Sequence, residues 1–548
     1  MEFLSYFSNV FTFTNLLILF LGTVGGLLMG AAPGLSPTMA VALLIPFTFK
    51  MSPEQGLIML GAVYTSTVAG GAISAILLKI PGAPANIATV MDGYPMAKAG
   101  KPKEALHYCF ISSFIGGVIG IFILIFFTPV LAGFALKFGP SHMFWIAIFG
   151  VTVIATLDSN SIIKGLFSGA IGLWLATIGY DSVLGVERFV FNPIFSGGIN
   201  IIAALVGLFA IPQVLSMLEG KQNISDQFEM EKRSLSQSIL YNISRIKALT
   251  VGSISGVLIG LIPGAGGQIA GLVSYDQIKK ISKNKENFGK GEPDGIIAAE
   301  SANNAMVGPS LVPLLTLGVP GSPTAAVLLG GLLIHGMFPG SNLFTVYAET
   351  TWTFIDSLLV AQLMMLVFGL YISGLAKYVI KTPQNYMAAA ITILAIFGTY
   401  SVQHNFADVI VMLFLGVSMF FLSKFGFTAA PIVLGLILGP IAETNFTQAK
   451  IIADTQNGIF SYLTSGPLNL TIISLCIISI TYGFITEMKK KKNDLDKKFN
   501  NSYYYAHFVN FISICIFYGW DFRSLSFSKD YNFNDDYFIF FIFIILFF

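Results

Sequence analysis

The sequence predicts an all-α polytopic membrane protein with two homologous halves, the second inverted, carrying discontinuous or re-entrant helices among roughly 10–14 membrane segments. Three observations predict it. Of 548 residues, 55% are hydrophobic and 11% charged, with a mean hydropathy of +0.77. Soluble domains carry roughly 25% charged residues, so a water-facing surface of ordinary size cannot be covered. Second, apolar runs repeatedly approach or exceed the roughly 20 residues that cross a bilayer. Third, an apolar segment cut by Pro-Gly, followed by another such cut, occurs twice. The first half reads GLLMGAAPGLSPTMA (Gly26–Ala40) and LLKIPGAPANIATVMDG (Leu77–Gly93). The second reads GVLIGLIPGAGGQIA (Gly256–Ala270) and LTLGVPGSPTAAVLLGG (Leu315–Gly331). Gly26, Gly30, Pro33, Gly34 and Ala40 match Gly256, Gly260, Pro263, Gly264 and Ala270 at one offset (256 − 26 = 230), and Pro81-Gly82 matches Pro320-Gly321 at another (320 − 81 = 239).

In chain order, the opening MEFLSYFSNVFTFTNLLILFLG lacks the basic start and small-residue cleavage site of a secretory signal, and reads as the first membrane helix. Spans are expected near 11–32, 54–79, 105–136, 141–157, 160–178 and 199–219, making 1–219 the N-terminal membrane half. Polar residues 220–247 read as a cytoplasmic linker. Spans resume near 248–262, 295–318, 351–376, 386–401, 405–424 and 467–486, so 248–486 is the C-terminal membrane half. Apolar pieces at 37–49, 84–98, 268–278, 322–336 and 427–439 are too short to span and read as half-helices or re-entrant arms. A basic cytoplasmic segment, 487–502, follows, and then a Phe-, Tyr- and Ile-rich tail, 503–548, to which no function is assigned.

Excess Lys and Arg marks the cytoplasmic side of a membrane protein. MAKAGKPKEA (Met96–Ala105), the linker and 487–502 are therefore placed there. The counterpart of the first in the second half, GMFPGSNLFTVYAETTW (Gly336–Trp352), has no Lys or Arg, which points to inversion. KKISKNKENFGKGE (Lys279–Glu292) is also basic and complicates that count. Glu187-Arg188, in IGYDSVLGVERFVF, reads as a structured loop with an internal ion pair. Cys109, Cys476 and Cys515 lie in apolar contexts without metal-ligand spacing and read as buried thiols.

The chemistry is expected at the four breaks. Proline removes a donor and glycine frees the backbone, and orphaned backbone groups in lipid cost several kcal/mol unless buried in protein or lining a cavity. A half-helix starting after such a break aims N–H groups and positive partial charge into that cavity, which suits a carboxylate. Residues at and beside the breaks are the expected substrate contacts: Pro33, Gly34, Ser36, Pro81, Gly82, Asn86, Pro263, Gly264, Gly266, Gly267, Pro320, Gly321 and Ser322. Small polar or acidic residues in apolar surroundings are candidates for a coupling ion: Thr65, Ser66, Thr67, Asp92, Glu300, Ser301, Asn303 and Asn304. The competing reading of each break is an ordinary proline kink, and of each hydroxyl, helix packing. No GxxxxGK[ST], HExxH, GxSxG or CxxC pattern occurs, so neither an ATP-driven pump nor an enzyme is expected. No basic aromatic stripe suggests nucleic acid, and no cofactor is expected beyond a coupling Na⁺ or H⁺. A passive anion channel or a structural membrane scaffold is the alternative.

Several long segments resemble the large membrane subunit (TctA type) of the tripartite tricarboxylate transporters, from about residue 15 to about residue 486. They are GAAPGLSPTMAVALLIPFTF, GAVYTSTVAGGAISAILLKIPGAPANIATVMDGYPMAKAGKPKEAL, GLWLATIGYDSVLGVERFVF, IPGAGGQIAGLVSY and AAESANNAMVGPSLVPLLTLGVPGSPTAAVLLGGLLIHGMFPG. The resemblance implies a secondary, ion-gradient-driven importer of organic carboxylates, a tricarboxylate such as citrate or a related dicarboxylate, in the bacterial cytoplasmic (inner) membrane. It also implies two partners, a small four-helix membrane subunit (TctB type) and a periplasmic solute-binding protein (TctC type). The family signature falls on Pro33-Gly34, Pro81-Gly82, Pro263-Gly264 with Gly266-Gly267, Asn303-Asn304 and Pro320-Gly321. Pro309 and Pro323 stand where small residues are usual for that family.

Overall fold

Because lipid offers no hydrogen bonds, each spanning segment satisfies its backbone internally, and helix is the solution available to single segments. The computed structural model describes residues 5–158, 161–180, 185–190, 192, 195–219, 235–264, 266–380, 382–454 and 458–495. The first half contains α1 (Phe13–Ala31), α2 (Pro37–Thr48), α3 (Pro53–Leu78), α4 (Ile87–Lys98), α5 (Pro102–Ala135), α6 (Pro140–Asp158), α7 (Ile162–Ala176) and α8 (Ile201–Glu219). After it come α9 (Leu235–Ser244), α10 (Ile246–Leu261), α11 (Gly266–Ile281), α12 (Pro293–Ala305), α13 (Val307–Leu317) and α14 (Pro323–Ile334). The remainder is α15 (Ala348–Ile380), α16 (Gln384–Gln403), α17 (Phe406–Lys424), α18 (Ala429–Asp454) and α19 (Gly466–Leu495). Residues Met1–Ile480 form one compact unit; of the second, Thr481–Phe548, the described part is the helical stretch to Leu495.

Among the described residues nine helices are long and apolar enough to cross a membrane, or ten if α9 and α10, bent by 71°, count as one span. Helices α2, α6, α7 and α14 are apolar but shorter. Three expectations change. The 295–318 stretch is two helices, α12 and α13, parted at Met306. The piece at 427–439 is no half-helix but the first part of the 26-residue α18. It lacks a Pro-Gly cut, and its glycines seat it on α7: a Cβ on Gly435 would lie 2.4 Å from the Gly169 carbonyl oxygen. Arg188 pairs across the fold with Glu443 of α18, while Glu187 engages Tyr180 in the hairpin formed by β1 (Gly179–Tyr180) and β2 (Glu187–Arg188). Adjacent strand residues point to opposite faces, so neighbours in sequence find different partners. Residues 220–234 of the linker, 496–502 of the basic segment and the 503–548 tail lie outside the described residues.

Matched breaks have matched geometry. Helices α3 and α13 end on left-handed residues at equivalent positions, Lys79 (φ 61°) and Gly318 (φ 73°). Beyond them the Gly82 N–H donates to the Gly71 carbonyl (3.2 Å), and the Gly321 N–H to the Ser310 carbonyl (3.1 Å). A Cβ on Gly82 would lie 2.6 Å from Gly30 O and Gly71 Cα; one on Gly321 would lie 2.6 Å from Gly260 O and Ser310 Cα. The other two breaks turn on Gly34 (φ 87°) and Gly264 (φ 77°), where only glycine avoids the left-handed penalty.

Polar contacts gather in two end clusters. In the first, Asn15 donates to Glu54 (2.6 Å), Asn9 donates to Glu349 (3.0 Å), and His335 lies against Gly56. In the second, Asp92 accepts from the Gly289–Glu292 loop, His107 meets Ser238 (3.1 Å), Asn242 donates to Tyr108 O (3.0 Å), and Arg245 lies 3.6 Å from Asp294.

Candidate functional site

A cavity of about 220 Å³ lies where the four breaks converge. Its walls include Ser36, Pro37 and Thr38 at the start of α2, Ala83–Ala85 before α4, Gly264, Gly266 and Gly267 at the start of α11, and Ser322, Pro323 and Thr324 at the start of α14. Tyr64, Val68, Met306, Phe209 and Ala429–Ala430 close it, and among the described residues no Asp, Glu, Lys, Arg or His lines it. An anion held there depends on backbone dipoles, N–H groups and hydroxyls.

The two helix starts with the clearest geometry share the tripeptide Ser-Pro-Thr, at 36–38 and 322–324. In each, serine is the N-cap: Ser36 Oγ accepts from Met39 N–H (3.2 Å) and Ser322 Oγ from Ala325 N–H (3.1 Å). Proline occupies the first helical position, where its missing N–H costs nothing. Pro323 is thus an ordinary helix start matching Pro37. Threonine comes next, with a backbone N–H that finds no acceptor among the described residues and a hydroxyl facing the other helix: Thr38 Oγ1 and Thr324 Oγ1 are 2.9 Å apart. Two N-terminal dipoles from different halves therefore meet at one hydroxyl pair.

The opposite pair of breaks meets in a corresponding way. Position 38 maps to 268 and 324 to 85 under the two offsets, and α11 touches Ala85: a Cβ on Gly267 would lie 3.2 Å from Ala85 Cβ. Tyr64 and Asn303, equivalent at the 239 offset, each grip a break of the other half. Tyr64 OH bonds Ser322 Oγ (2.8 Å) and Ser310 Oγ (3.2 Å), and Asn303 Nδ2 donates to Ala85 O (3.0 Å). The symmetry is imperfect. Gly264 N–H and Gly266 N–H donate to the Pro320 and Gly321 carbonyls (3.3 Å each), so two donors at the α11 break are already used.

Of the sequence-predicted substrate contacts, Ser36, Gly264, Gly266, Gly267 and Ser322 line the cavity. Pro33, Gly34, Pro81, Pro263 and Pro320 shape the breaks behind it, and a Cβ on Gly34 would meet Gln213 of α8. Gly82 and Gly321 are close-approach positions between helices, and Asn86 turns away toward Glu300 (3.2 Å).

The coupling-ion candidates separate in the same manner. Thr65 accepts from Gln362 (2.7 Å) and Ser301 meets Ser253 (2.8 Å), both bonds linking helices, whereas Ser66 donates to Ala62 O (2.5 Å) one turn back in its own helix. Thr67 Oγ1, Asn303 Oδ1 and both amide atoms of Asn304 are buried without a hydrogen-bond partner among the described residues. Glu300 is fully buried and receives Thr89, Asn86, Ser113 and Asn303. Asp92 Oδ1 accepts from the N–H groups of Gly289 (2.8 Å), Gly291 (2.8 Å) and Glu292 (2.9 Å), and Oδ2 from Tyr275 OH (2.8 Å). Beside it, burial raises the Glu292 carboxyl above its ordinary range; Asp294 adds to the rise and Arg245 opposes it. Asp92 thereby fixes the entry to α12 from the other half. Asp92→Ala strands three backbone donors and is expected to cost about 2–4 kcal/mol, with Asp92→Asn, which keeps one acceptor oxygen, costing less. Denaturation in mixed micelles and proteolysis within Lys279–Lys290 check this; an alanine variant as stable as the parent contradicts it.

Sequence reasoning missed Tyr64, Phe209, Ala429 and Ala430 as cavity walls and Thr89 and Ser113 as partners of Glu300. The repeated Ser-Pro-Thr was the signal available for the α14 start; for the apolar walls there was none.

The description "Tripartite tricarboxylate transporter TctA family" belongs to the family model that matches residues 16–434. A protein of Agrobacterium vitis, described as an uncharacterized 52.8 kDa protein in the TAR-I ttuC′ 3′ region, is 32% identical over 490 residues, covering 89% of this chain and 96% of that one. Another from the same organism, in the TAR-II ttuC′ 3′ region, is 31% identical over 240 residues, covering 44% of this chain and 98% of its own. Nine apolar helices fit a multi-pass membrane protein, and with most of its length matched the chain belongs to the tripartite tricarboxylate transporter TctA family.

Proposed function

We propose that the chain is the translocating subunit of a secondary, ion-gradient-driven carboxylate importer, with the substrate held at the convergence of the four breaks. One observation carries this reading: the Ser-Pro-Thr starts of α2 and α14 meet at Thr38–Thr324 in a cavity with no charged wall among the described residues. Free N–H groups and N-terminal dipoles bind carboxylates without a fixed basic residue. A site lacking fixed charge also lets go readily, and a co-bound cation offsets what the dipoles do not.

Inversion of the halves is part of the proposal. The turn after α2 lies in the first end cluster, and its counterpart after α11, residues 282–292, in the second. The turn after α4 joins the second cluster, and its counterpart after α14, beginning at His335, the first. Equivalent turns at opposite ends are what an in-plane pseudo-two-fold produces. The second cluster gathers Lys98, Lys101, Lys103, Arg245, Lys279, Lys283 and Lys290 and is assigned to the cytoplasm of a bacterial inner membrane. The basic Lys279–Glu292 stretch thus supports inversion instead of complicating it. A four-helix membrane subunit and a periplasmic solute-binding protein complete the system, the latter delivering substrate; rocking of one half against the other then alternates access.

Uptake into proteoliposomes holding this chain and both partners tests the reading. Labelled citrate or a C4 dicarboxylate is expected to accumulate above its external concentration and to leak out once the ion gradient is collapsed. Equilibration without accumulation, insensitive to the gradient, supports a passive channel and overturns the proposal.

A further inference from the structure

Glu300 presents an unusual balance of partners. It is completely buried, and no lysine or arginine is among the groups that contact it in the described residues. Its Oε1 receives the Thr89 hydroxyl, Asn86 Nδ2 (3.2 Å) and Asn303 Nδ2 (3.4 Å); its Oε2 receives the Ser113 hydroxyl (3.2 Å). The Cys109 thiol also reaches the carboxylate, and every one of these partners can donate. The two amide nitrogens can only donate, and with both hydroxyls donating as well the carboxylate receives four bonds, which favours its ionised form. An ionised carboxylate in a membrane protein's interior calls for a positive charge, and the side chains supply none.

The same residues carry that charge's ligands in reserve. Asn86 and Asn303 are both fully buried, and the Oδ1 of each has no hydrogen-bond partner among the described residues. Rotating either amide by half a turn gives up its bond to a backbone carbonyl, Val68 O for Asn86 (3.3 Å) and Ala85 O for Asn303 (3.0 Å), and replaces a donor nitrogen with an acceptor oxygen facing Glu300; both hydroxyls accept as readily as they donate. We infer that Glu300, Asn86, Asn303, Thr89 and Ser113 form a Na⁺ site that is loaded by turning the two amide oxygens inward. This inference rests on the transport reading above and names its coupling ion. Hard cations take oxygen ligands, and this set supplies only oxygens. A single carboxylate balances a monovalent ion, whereas the divalent oxygen sites gather several. Among the described residues no group of three His, Cys, Asp or Glu side chains stands close enough to hold a metal.

The placement explains how occupancy reaches the cavity. Asn303 Nδ2 holds both Glu300 and the carbonyl of Ala85, a cavity wall. Turning that amide toward Na⁺ releases Ala85 and frees the break before α4 to move. Asn86 and Thr89 come from one half, Glu300 and Asn303 from the other, so the ion bridges the parts that must rock.

The test uses the purified full-length chain in nanodiscs without carboxylate or partner subunits, with ²²Na⁺ binding and thermal unfolding in NaCl against KCl at equal ionic strength. Saturable Na⁺ binding and a Na⁺-specific rise in Tm are expected in the parent and lost in Glu300→Gln. Ser113→Ala and Thr89→Val keep the carboxylate, serve if Glu300→Gln does not fold, and should raise half-saturating Na⁺ by about 10-fold. Asp356→Asn removes a different fully buried carboxylate, one with no hydrogen-bond partner among the described residues, and should leave Na⁺ binding intact. Equal behaviour in Na⁺ and K⁺, Na⁺ binding unchanged in the Glu300, Ser113 and Thr89 variants, or loss of binding only in Asp356→Asn overturns the site. Gradient-driven uptake without Na⁺ binding sinks the site and leaves the transport reading; Na⁺ binding without concentrative uptake does the reverse.

Discussion

Thr38→Val and Thr324→Val are each expected to raise the KM for carboxylate uptake by about 10-fold or more, since a hydrogen bond to a charged group is worth about 1.5–3 kcal/mol. Valine keeps the volume, and both positions tolerate a β-branched side chain in a helix's first turn. The backbone N–H stays in place, so affinity falls without vanishing. The two hydroxyls are each other's partner at 2.9 Å, so the double variant should lose less than the product of the singles, the coupling expected of groups in contact. Thr471→Val is the control, because that exposed hydroxyl only caps a carbonyl of its own helix. Initial-rate uptake in proteoliposomes measures all four. An unchanged KM in both single variants would move the substrate away from the Ser-Pro-Thr starts.

How far the site was legible follows from what each residue does to the backbone. Pro33-Gly34, Pro81-Gly82, Pro263-Gly264 and Pro320-Gly321 interrupt a helix wherever they stand, so the breaks and their two offsets were readable. Glu300, Asn303 and Asn304 stood out because polar groups in apolar segments cost free energy unless they have a task. Asp92 stood out for the same reason, yet its task is to cap a loop of the other half; no spacing rule links residue 92 to residues 289–292. Phe209, Ala429 and Ala430 were invisible, since an apolar wall residue resembles an apolar lipid-facing one until the helices are assembled. The parting at Met306 had a signal that went unused: Pro309 cannot donate to the carbonyl of Ala305, four residues back, so α12 ends there and Pro309 falls in the first turn of α13.

Gly82 and Gly321 were legible as special from their Pro-Gly pairs, and the packing gives each a second reason to be glycine. Gly82→Ala and Gly321→Ala are expected to lower stability markedly, by about 1–3 kcal/mol or more, because overpacking forces the backbone apart. Each added Cβ would sit 2.6 Å from a carbonyl oxygen and a Cα of neighbouring helices. Those are backbone atoms, which cannot step aside as a side-chain tip can. Gly25→Ala is the control, since nothing lies within 4 Å of a Cβ there, and in a helix alanine is the better former by about 1 kcal/mol. Tm and the monodisperse fraction after detergent extraction should fall together for the two break variants and hold or rise for Gly25→Ala. Because Gly82 and Gly321 make the same pair of contacts in their own halves, the two losses should be similar in size. A large loss at one and none at the other would mean that the halves are not structurally equivalent at their breaks.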